Sequence, residues 1–285
     1  MRKYICVLFL LITSLYITAC SKTESDVQVI KEIASEPTTV IHHKVDVPVK
    51  EVSLDVSDVP NEFFSDDITF SYEYVNNDEV MPFGLFTPST ATDGESKPLI
   101  LWLHGMGEFG VPEDVFNNKS LPKILKESTL DGFDAYVICP HMAYGKWYAP
   151  HWFRPWAVEN VKNLIDWSIE KYNIDVSQVI ISGHSSGGVG AMYIAHELPL
   201  YFDKMVILSG EGIGEKIYNI HIPAKGYVEN SGRHHDYMKY IFEPVFGEEN
   251  LTVYDATHSD IPELVFSEDL DGDNRADVIE WMFDK

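Results

Sequence analysis

The strongest chemical signal in the chain is a serine between two glycines. Residues 183–187 read Gly-His-Ser-Ser-Gly, a G-x-S-x-G sequence with Ser185 at its centre. Residues 179–182 before it have the apolar character of a buried strand, and residues 188–197 after it have that of a helix. A sharp turn between such a strand and helix holds a serine in a strained conformation, with its hydroxyl above the carboxyl edge of the sheet. This context predicts that Ser185 is a nucleophile.

A glycine-rich segment further upstream could stabilise the charge that a serine nucleophile creates. Residues 104–108 read His-Gly-Met-Gly-Glu and directly follow the apolar run 98–103. Backbone N–H groups of such a loop can donate to the oxyanion of a tetrahedral intermediate, as can the amide of the residue after the nucleophile. We therefore expect the amides of Met106 and Ser186 to form an oxyanion hole. An ordinary tight turn is the alternative explanation for these glycines.

The elements that must position these groups alternate between strands and helices. Residues 68–75 alternate as a half-exposed antiparallel strand does, and residues 80–86 are its expected partner. Short apolar runs typical of strands buried on both faces lie at residues 98–103, 135–139, 179–182, 205–208, 227–228 and 251–254. Helical patterns are clearest at residues 156–172, 188–197 and 277–283. This alternation predicts an α/β fold in which a mostly parallel sheet carries helices on both faces.

The order of these motifs resembles that of one group of α/β-hydrolases. The His-Gly-x-Gly-Glu sequence, Cys-Pro-His at residues 139–141, the serine motif and the Leu-Pro to Ser-Gly segment 198–210 fall as they do in esterases that include feruloyl esterases and polyhydroxybutyrate-depolymerase-like enzymes. The resemblance covers residues 68–285. It implies an α/β-hydrolase fold, a Ser-Asp-His triad and neither a metal nor another cofactor. It does not fix the substrate.

The histidine of such a triad comes last in the chain, and its acid lies between the serine and the histidine. His258 follows a predicted strand and precedes the last predicted helix, so we expect it to be the general base. The resemblance implies Gly-x-x-Asp after the penultimate strand, where residues 226–236 of this chain read Gly-Tyr-Val-Glu-Asn-Ser-Gly-Arg-His-His-Asp. Asp236, in the loop that follows, is our prediction for the acid, although a helix N-cap would also explain it. Glu229, at the end of the strand, is the rival.

Aromatic residues are concentrated between residues 141 and 156. This segment should leave the sheet at the edge where Ser185 lies, since ligands of open α/β sheets bind there. Trp147 and Trp152 are therefore predicted to stack on a sugar ring or an aromatic acyl group of a substrate. Ordinary packing is the alternative for several of these aromatic residues, with Trp156 expected to face the core.

These residues predict acyl transfer from an ester to water through an acyl-enzyme. The resemblance and the aromatic segment favour a small-molecule or polysaccharide ester, with a feruloyl or acetyl group on a carbohydrate as the expected substrate. Two alternatives stay open. One is a serine peptidase resembling the prolyl-oligopeptidase catalytic domain, and the other is a catalytically inactive binding module that keeps the hydrolase fold.

Carboxylates near the C-terminus are spaced as in some calcium loops. Residues 269–277 have aspartates at the first, third, fifth and ninth positions. Asn274 replaces the usual glycine, and no paired second loop is visible in the sequence. A solvated acidic turn in which Asp277 caps the last helix is the favoured interpretation, and no metal is predicted.

The N-terminus has the layout of an export signal. Two basic residues precede an apolar stretch that ends in Ile-Thr-Ala-Cys at Cys20. This sequence resembles the lipobox of bacterial lipoproteins, which implies a lipidated cysteine, although an ordinary signal peptide is the alternative. We therefore predict a signal peptide at residues 1–19, an extended tether at residues 20–60 and a catalytic domain at residues 61–285. The chain would be exported and held at a bacterial membrane by its lipid.

Charge and composition exclude several functions. The net charge of −24 repels phosphate backbones, so no nucleic-acid partner is expected. With 45% hydrophobic residues, the chain can bury a sizeable core. After removal of the signal and lipidation of Cys20, only Cys139 remains, so no internal disulfide is expected. Cys139 lies in an apolar run and is predicted to be buried.

Overall fold

The computed structural model describes residues 50–53, 71–77, 79–108, 120–127, 130, 133–142, 152–272 and 275–284. All of them belong to the unit Thr38–Lys285, and the other unit of the chain is Met1–Pro37. The predicted signal peptide, Cys20 and Trp147 lie outside the described residues.

Nine strands of the described chain form one sheet in the order β1-β2-β3-β5-β4-β6-β7-β8-β9. Pairing is antiparallel from β1 through β3 to β5 and parallel from β5 to β9. The prediction of a mostly parallel α/β sheet is therefore confirmed. The strands are β1 Lys50–Ser53, β2 Ser71–Asn77, β3 Glu79–Phe86, β4 Lys97–Leu103, β5 Tyr136–Pro140, β6 Ile174–His184, β7 Lys204–Leu208, β8 Ala224–Glu229 and β9 Leu251–Tyr254.

The antiparallel edge of the sheet begins earlier than expected. Strands β2 and β3 pair as the alternating pattern predicted. Strand β1 pairs with β2 but lies inside the predicted tether at residues 20–60. The sheet therefore starts before residue 61, the predicted beginning of the catalytic domain.

Helices connect the strands and cover the sheet. They are α1 Leu121–Glu127, α2 Pro155–Lys171, α3 Ser186–Glu197, α4 Arg233–Tyr237, α5 Glu243–Phe246, α6 Ile261–Val265 and α7 Asp277–Phe283. A π-helical turn, Met238–Phe242, joins α4 to α5. Short 3-10 turns lie at Met106–Glu108, Gly214–Asn219, Glu248–Asn250 and His258–Asp260. No helix in the described part of the chain is both long and apolar enough to cross a membrane.

Two apolar cores lie on opposite faces of the sheet, and β4 shows why. Leu99, Leu101 and Leu103 belong to one core, whereas Ile100 and Trp102 belong to the other. Successive side chains of a strand point to opposite faces, so a continuous apolar run supplies both cores. Burial of each such side chain stabilises the fold by about 1.5–3 kcal/mol.

The helices divide between these two cores. Helix α2 presents an apolar stripe at helical spacing, with Ala157, Val161 and Leu164 packed into the first core together with residues of α3. Residues of α1, α6 and α7 pack into the second core. Cys139 is buried in this second core, as predicted, and burial raises the pKa of its thiol.

The parallel strands bring their carboxyl ends to a single edge. Strands β4, β6, β7 and β8 end there at Leu103, His184, Leu208 and Glu229. The predicted groups Met106, Ser185, Ser186 and Asp236 follow these strands, Glu229 ends β8, and His258 follows the neighbouring strand β9. The direction of the strands therefore brings together groups that are far apart in the chain.

Candidate active site

Ser185 occupies the strained turn that the sequence predicts. It lies between β6 and α3 with φ 57° and ψ −121°, outside the regions that residues with a side chain normally adopt. Its N–H donates to the carbonyl of Leu208 at the end of β7 (2.9 Å). Such a conformation costs about 1–3 kcal/mol and persists only where the surroundings enforce it.

The two glycines of the motif are required by close approach of the backbone. A Cβ at Gly187 would lie 1.9 Å from the carbonyl oxygen of Leu103, at the end of β4. A Cβ at Gly183 would lie 2.5 Å from the carbonyl group of Gly187. Both positions therefore exclude any side chain, and this explains the spacing of the motif around Ser185.

The predicted oxyanion donors lie beside the predicted nucleophile. Met106 begins the turn Met106–Glu108, and Ser186 is the first residue of α3, so its amide has no partner within the helix. Met106, Ser185 and Ser186 line one cavity. The buried carboxylate of Glu108 accepts the N–H of Gly105 (2.6 Å) and so folds the loop back on itself. The structure thus places Ser185 and the two residues predicted to supply oxyanion donors around one cavity.

Glu229, and not Asp236, contacts His258. The Nδ1 atom of His258 lies 3.2 Å from Oε1 of Glu229, while the hydroxyl of Ser209 donates to Oε2 (2.6 Å). Asp236 lies on α4, its side chain is 67% exposed, and its carboxylate pairs with His235. The prediction of Asp236 is therefore wrong in this geometry. Helix α4 begins after Gly232 and leaves the Asp236 carboxylate exposed, while the Glu229 side chain reaches His258 directly from the end of β8.

The environment of Glu229 keeps its carboxylate ionised. Burial alone would raise its pKa, but hydrogen bonds from His234, His258 and Ser209 outweigh this effect and hold the pKa well below its ordinary value. Ser209 is itself in a left-handed conformation, with φ 48°, directly after β7. The acid is therefore a negative charge that is held by three donors from three different segments.

His258 packs among two further histidines that the sequence did not reveal. The ring of His234 stacks on it, with centroids 4.3 Å apart, and Nδ1 of His234 donates to Oε1 of Glu229 (2.8 Å). The ring of His184 lies 4.5 Å away on centroids, and its Nε2 contacts the carbonyl oxygen of His258 (2.9 Å). Burial lowers the pKa of His184 to about 3, so it is neutral and Nε2–H donates. The residue that precedes the serine therefore anchors the backbone of the general-base candidate.

His104 fixes the start of the oxyanion loop. It is fully buried; Nδ1–H donates to the carbonyl of Gly105 (2.8 Å), and Nε2 accepts the N–H of Met142 (3.0 Å). Burial lowers the pKa of His104 to about 3, so the ring is neutral. The indole N–H of Trp152 also donates to the carbonyl of His104 (3.1 Å). This network explains why a histidine opens the His-Gly-x-Gly-Glu sequence.

The cavity at Ser185 has a volume of about 260 Å³. Its wall is largely apolar, and its polar part contains Glu211, Arg233 and His234. Trp152 was predicted to be an exposed stacking residue, but only 1% of its surface is exposed, so it forms a fixed part of the wall. Phe153, 39% exposed, is the accessible aromatic side chain there. The apolar lining consists of Met106, Trp152, Phe153 and Val189.

Two groups of side chains in the described residues could in principle hold a metal ion. Glu229, His234 and His258 place three ligand atoms within 4.8 Å of one another. Both histidine Nδ1 atoms point at the same carboxylate oxygen, which is the arrangement of a hydrogen-bonded acid and base. In the predicted calcium-like segment, Asp269 accepts the N–H of Gly272 and Asp277 accepts that of Leu270. These carboxylates cap their own turn.

Part of the chain is similar to a known protein family. Residues 76–213 match the model of the Esterase family, described as "Putative esterase". No curated protein matches the chain.

Several solved structures share the fold. A thermostable esterase superposes with a TM-score of 0.55 at 20% identity, covering 76% of this chain and 63% of the other. The feruloyl esterase module from Clostridium thermocellum, complexed with sinapinate, gives 0.54 at 14% identity, covering 68% and 83%. An S-formylglutathione hydrolase from Agrobacterium tumefaciens gives 0.51 at 15% identity, covering 70% and 93%. The predicted α/β-hydrolase fold is confirmed, and this chain spans less than two thirds of the thermostable esterase.

The contact between Glu229 and His258 predicts that hydrolytic activity depends on Glu229 and not on Asp236. Glu229→Gln keeps the shape but removes the charge that orients and stabilises the imidazolium, so kcat/KM for p-nitrophenyl acetate should fall by about 10³-fold or more. Asp236→Asn, the matched control on α4, should keep activity within twofold of wild type. Steady-state rates of p-nitrophenol release check both, and a greater loss in Asp236→Asn would contradict the assignment.

The buried neutral histidines predict a dependence of stability on pH. His104 and His184 bind a proton near pH 6.5 when unfolded but only near pH 3 when folded. The unfolded state therefore gains protons first, and the free energy of unfolding should fall from pH 7 to pH 5, by at most ~1.4 kcal/mol per pH unit and histidine.

Urea unfolding at pH 7, 6 and 5 measures this slope. His104→Gln should give a shallower slope than wild type, because one titrating group is gone. The exposed His221→Gln is the control for replacing a histidine. Equal slopes in His104→Gln and wild type would contradict the assignment of a neutral, buried imidazole.

Proposed function

From an α/β-hydrolase fold whose residues 76–213 match the Esterase family, we propose that this chain is a serine hydrolase of carboxylic esters. The observation that carries the proposal is the assembly of Ser185, two backbone amides and the Glu229–His258 pair at one edge of the sheet. The family match supports ester hydrolysis, and the site geometry supports a serine as its nucleophile.

The reaction proceeds in two halves. As Oγ of Ser185 attacks the ester carbonyl, its proton passes to Nε2 of His258, while Glu229 accepts the hydrogen bond of Nδ1–H. The amides of Met106 and Ser186 hold the oxyanion, which is worth about 3–4 kcal/mol for each donor. His258 then returns the proton to the departing alcohol, leaving an acyl group on Ser185. Water attacks this acyl-enzyme through the same base and releases the acid.

The carboxylate beside His258 disfavours the alternative of an inactive binding module. An inactive module would need no carboxylate beside this histidine, whereas Glu229 places one there from the end of β8. The peptidase alternative gains no specific observation from the site. Ester hydrolysis is therefore the function that we retain.

A feruloyl or acetyl ester of a carbohydrate is the substrate class that we propose. The cavity of about 260 Å³ is largely apolar and is walled by Trp152 and Phe153, which suits an aromatic acyl group. A feruloyl esterase module is among the structures that share the fold. The acetyl ester is retained because a small acyl group needs only the part of the cavity nearest Ser185.

A panel of esters tests the serine mechanism. Wild type should release p-nitrophenol from acetyl and butyryl esters and ferulate from feruloyl-sugar esters, and Ser185→Ala should lose nearly all activity because its nucleophile is gone. The circular dichroism spectrum of Ser185→Ala, compared with wild type, controls for folding. If wild type never exceeds the Ser185→Ala background on any ester of the panel, the proposed function is wrong.

We propose that the chain acts outside the cytoplasm, attached to a bacterial membrane through lipid on Cys20. The basic start, the apolar stretch and the cysteine at its end support this location. Labelled palmitate should be incorporated into the wild-type protein in growing bacteria but not into Cys20→Ala. Equal labelling of both, or of neither, would overturn the proposal, with Cys139→Ala as the matched control for loss of a thiol.

A further inference from the structure

We propose that the cavity at Ser185 selects esters that bear a carboxylate, and that Arg233 binds this group. The inference rests on the proposed function and narrows its substrate class. It concerns the side of the cavity formed by Glu211 and the start of α4, which the reaction itself does not use.

Arg233 lies where a substrate of Ser185 would pass. Together with Ser185, it lines the cavity, and it is the first residue of α4. Its Nε atom pairs with Oε2 of Glu211, another residue of the cavity wall, at 3.1 Å. The side chain of Arg233 is 72% exposed, so the guanidinium group is accessible to a ligand.

The pairing with Glu211 leaves part of the guanidinium group available. Glu211 contacts Nε, and the two terminal nitrogens of Arg233 have no partner among the residues that the structure describes. These nitrogens form a planar fork that matches the two oxygens of a carboxylate. The ion pair between Glu211 and Nε restricts the guanidinium group, which reduces the side-chain entropy lost on binding.

Arg233 is a positive charge in a molecule whose net charge is strongly negative. The chain has a net charge of −24, which repels an anionic substrate at a distance. Among the described residues that line the cavity, Arg233 is the one with a permanent positive charge. A carboxylate fits this setting better than a phosphate dianion, since the largely apolar wall makes removal of a second charge from water costly.

The carboxylate of Glu211 partly neutralises Arg233, so a variant of Glu211 tests whether Arg233 binds an anion. If the Arg233–Glu211 pair behaves as a neutral unit that binds hydroxyl groups, removing either charge should reduce binding of neutral and anionic esters alike. If Arg233 binds a carboxylate, removing the negative charge of Glu211 should increase the preference for anionic esters, whereas removing the positive charge of Arg233 should abolish it.

The experiment uses pairs of esters that differ by one charge. On the alcohol side the pair is 4-carboxyphenyl acetate and 4-carbamoylphenyl acetate, with the 3-substituted isomers beside it. On the acyl side the pair is the p-nitrophenyl esters of 4-carboxybenzoate and 4-carbamoylbenzoate. For each pair the ratio of kcat/KM, anionic over neutral, is measured in wild type, Arg233→Gln and Glu211→Gln.

For at least one pair, Arg233→Gln should lower this ratio about tenfold, the effect of a hydrogen bond to a charged group. Glu211→Gln should raise the ratio; because both residues line the cavity, the ratio and not the rate on either ester is the readout. Arg275→Gln is the matched control, because Arg275 also pairs with a glutamate, Glu280, on α7 outside the cavity. A ratio that is the same in wild type and Arg233→Gln for every pair overturns the inference.

A binding measurement separates this inference from the proposed reaction. Ser185→Ala leaves the esters intact, so calorimetric titration can compare 4-carboxyphenyl acetate with its carbamoyl analogue in Ser185→Ala and in the double variant with Arg233→Gln. Selective binding of the carboxylate that is lost in the double variant supports the role of Arg233 even if wild type hydrolyses neither ester. Equal binding of both esters to Ser185→Ala counts against it.

Discussion

The carboxylate of Glu229 is the interaction on which the candidate site depends. One oxygen accepts the hydroxyl of Ser209, and the other accepts Nδ1 of both His234 and His258. These donors follow β7, β8 and β9, so the charge ties together the ends of three neighbouring strands. A buried carboxylate with fewer donors would be costly to ionise, and a neutral one could not stabilise an imidazolium.

Backbone geometry supplies the other half of the site. Ser185 is held with positive φ because Gly183 and Gly187 let β6, α3 and β4 approach more closely than any side chain allows. In the loop 104–108, Glu108 accepts the N–H of Gly105, while His104 links the start of that loop to Met142. Ser185 and the loop that contains Met106 are thus held in place by packing and hydrogen bonds within the protein itself.

The fold and the strained turn at Ser185 could be predicted from the sequence because both have local signals. Apolar runs mark strands that are buried on both faces, and a serine between glycines marks a turn that only glycine permits. The carboxylate that contacts His258 could not be predicted in this way, because the choice between Glu229 and Asp236 depends on how far a side chain reaches from the end of the strand and on where the next helix begins. The positioning roles of His184 and His234 depend on contacts across the sheet, although the place of His184 directly before Ser185 was a signal that could have been used.

The register of the last two strands has a consequence for how such a site can change over evolution. Glu229 is paired with Tyr254 in the ladder between β8 and β9, so its position is set by the sheet itself. Arg233 stands four residues further on, on a short helix outside the ladder. Substitutions along the exposed part of that helix can therefore alter what the cavity accepts while the acid stays in place. In this architecture, residues of α4 that line the cavity can change between related proteins faster than Glu229 and His258 do.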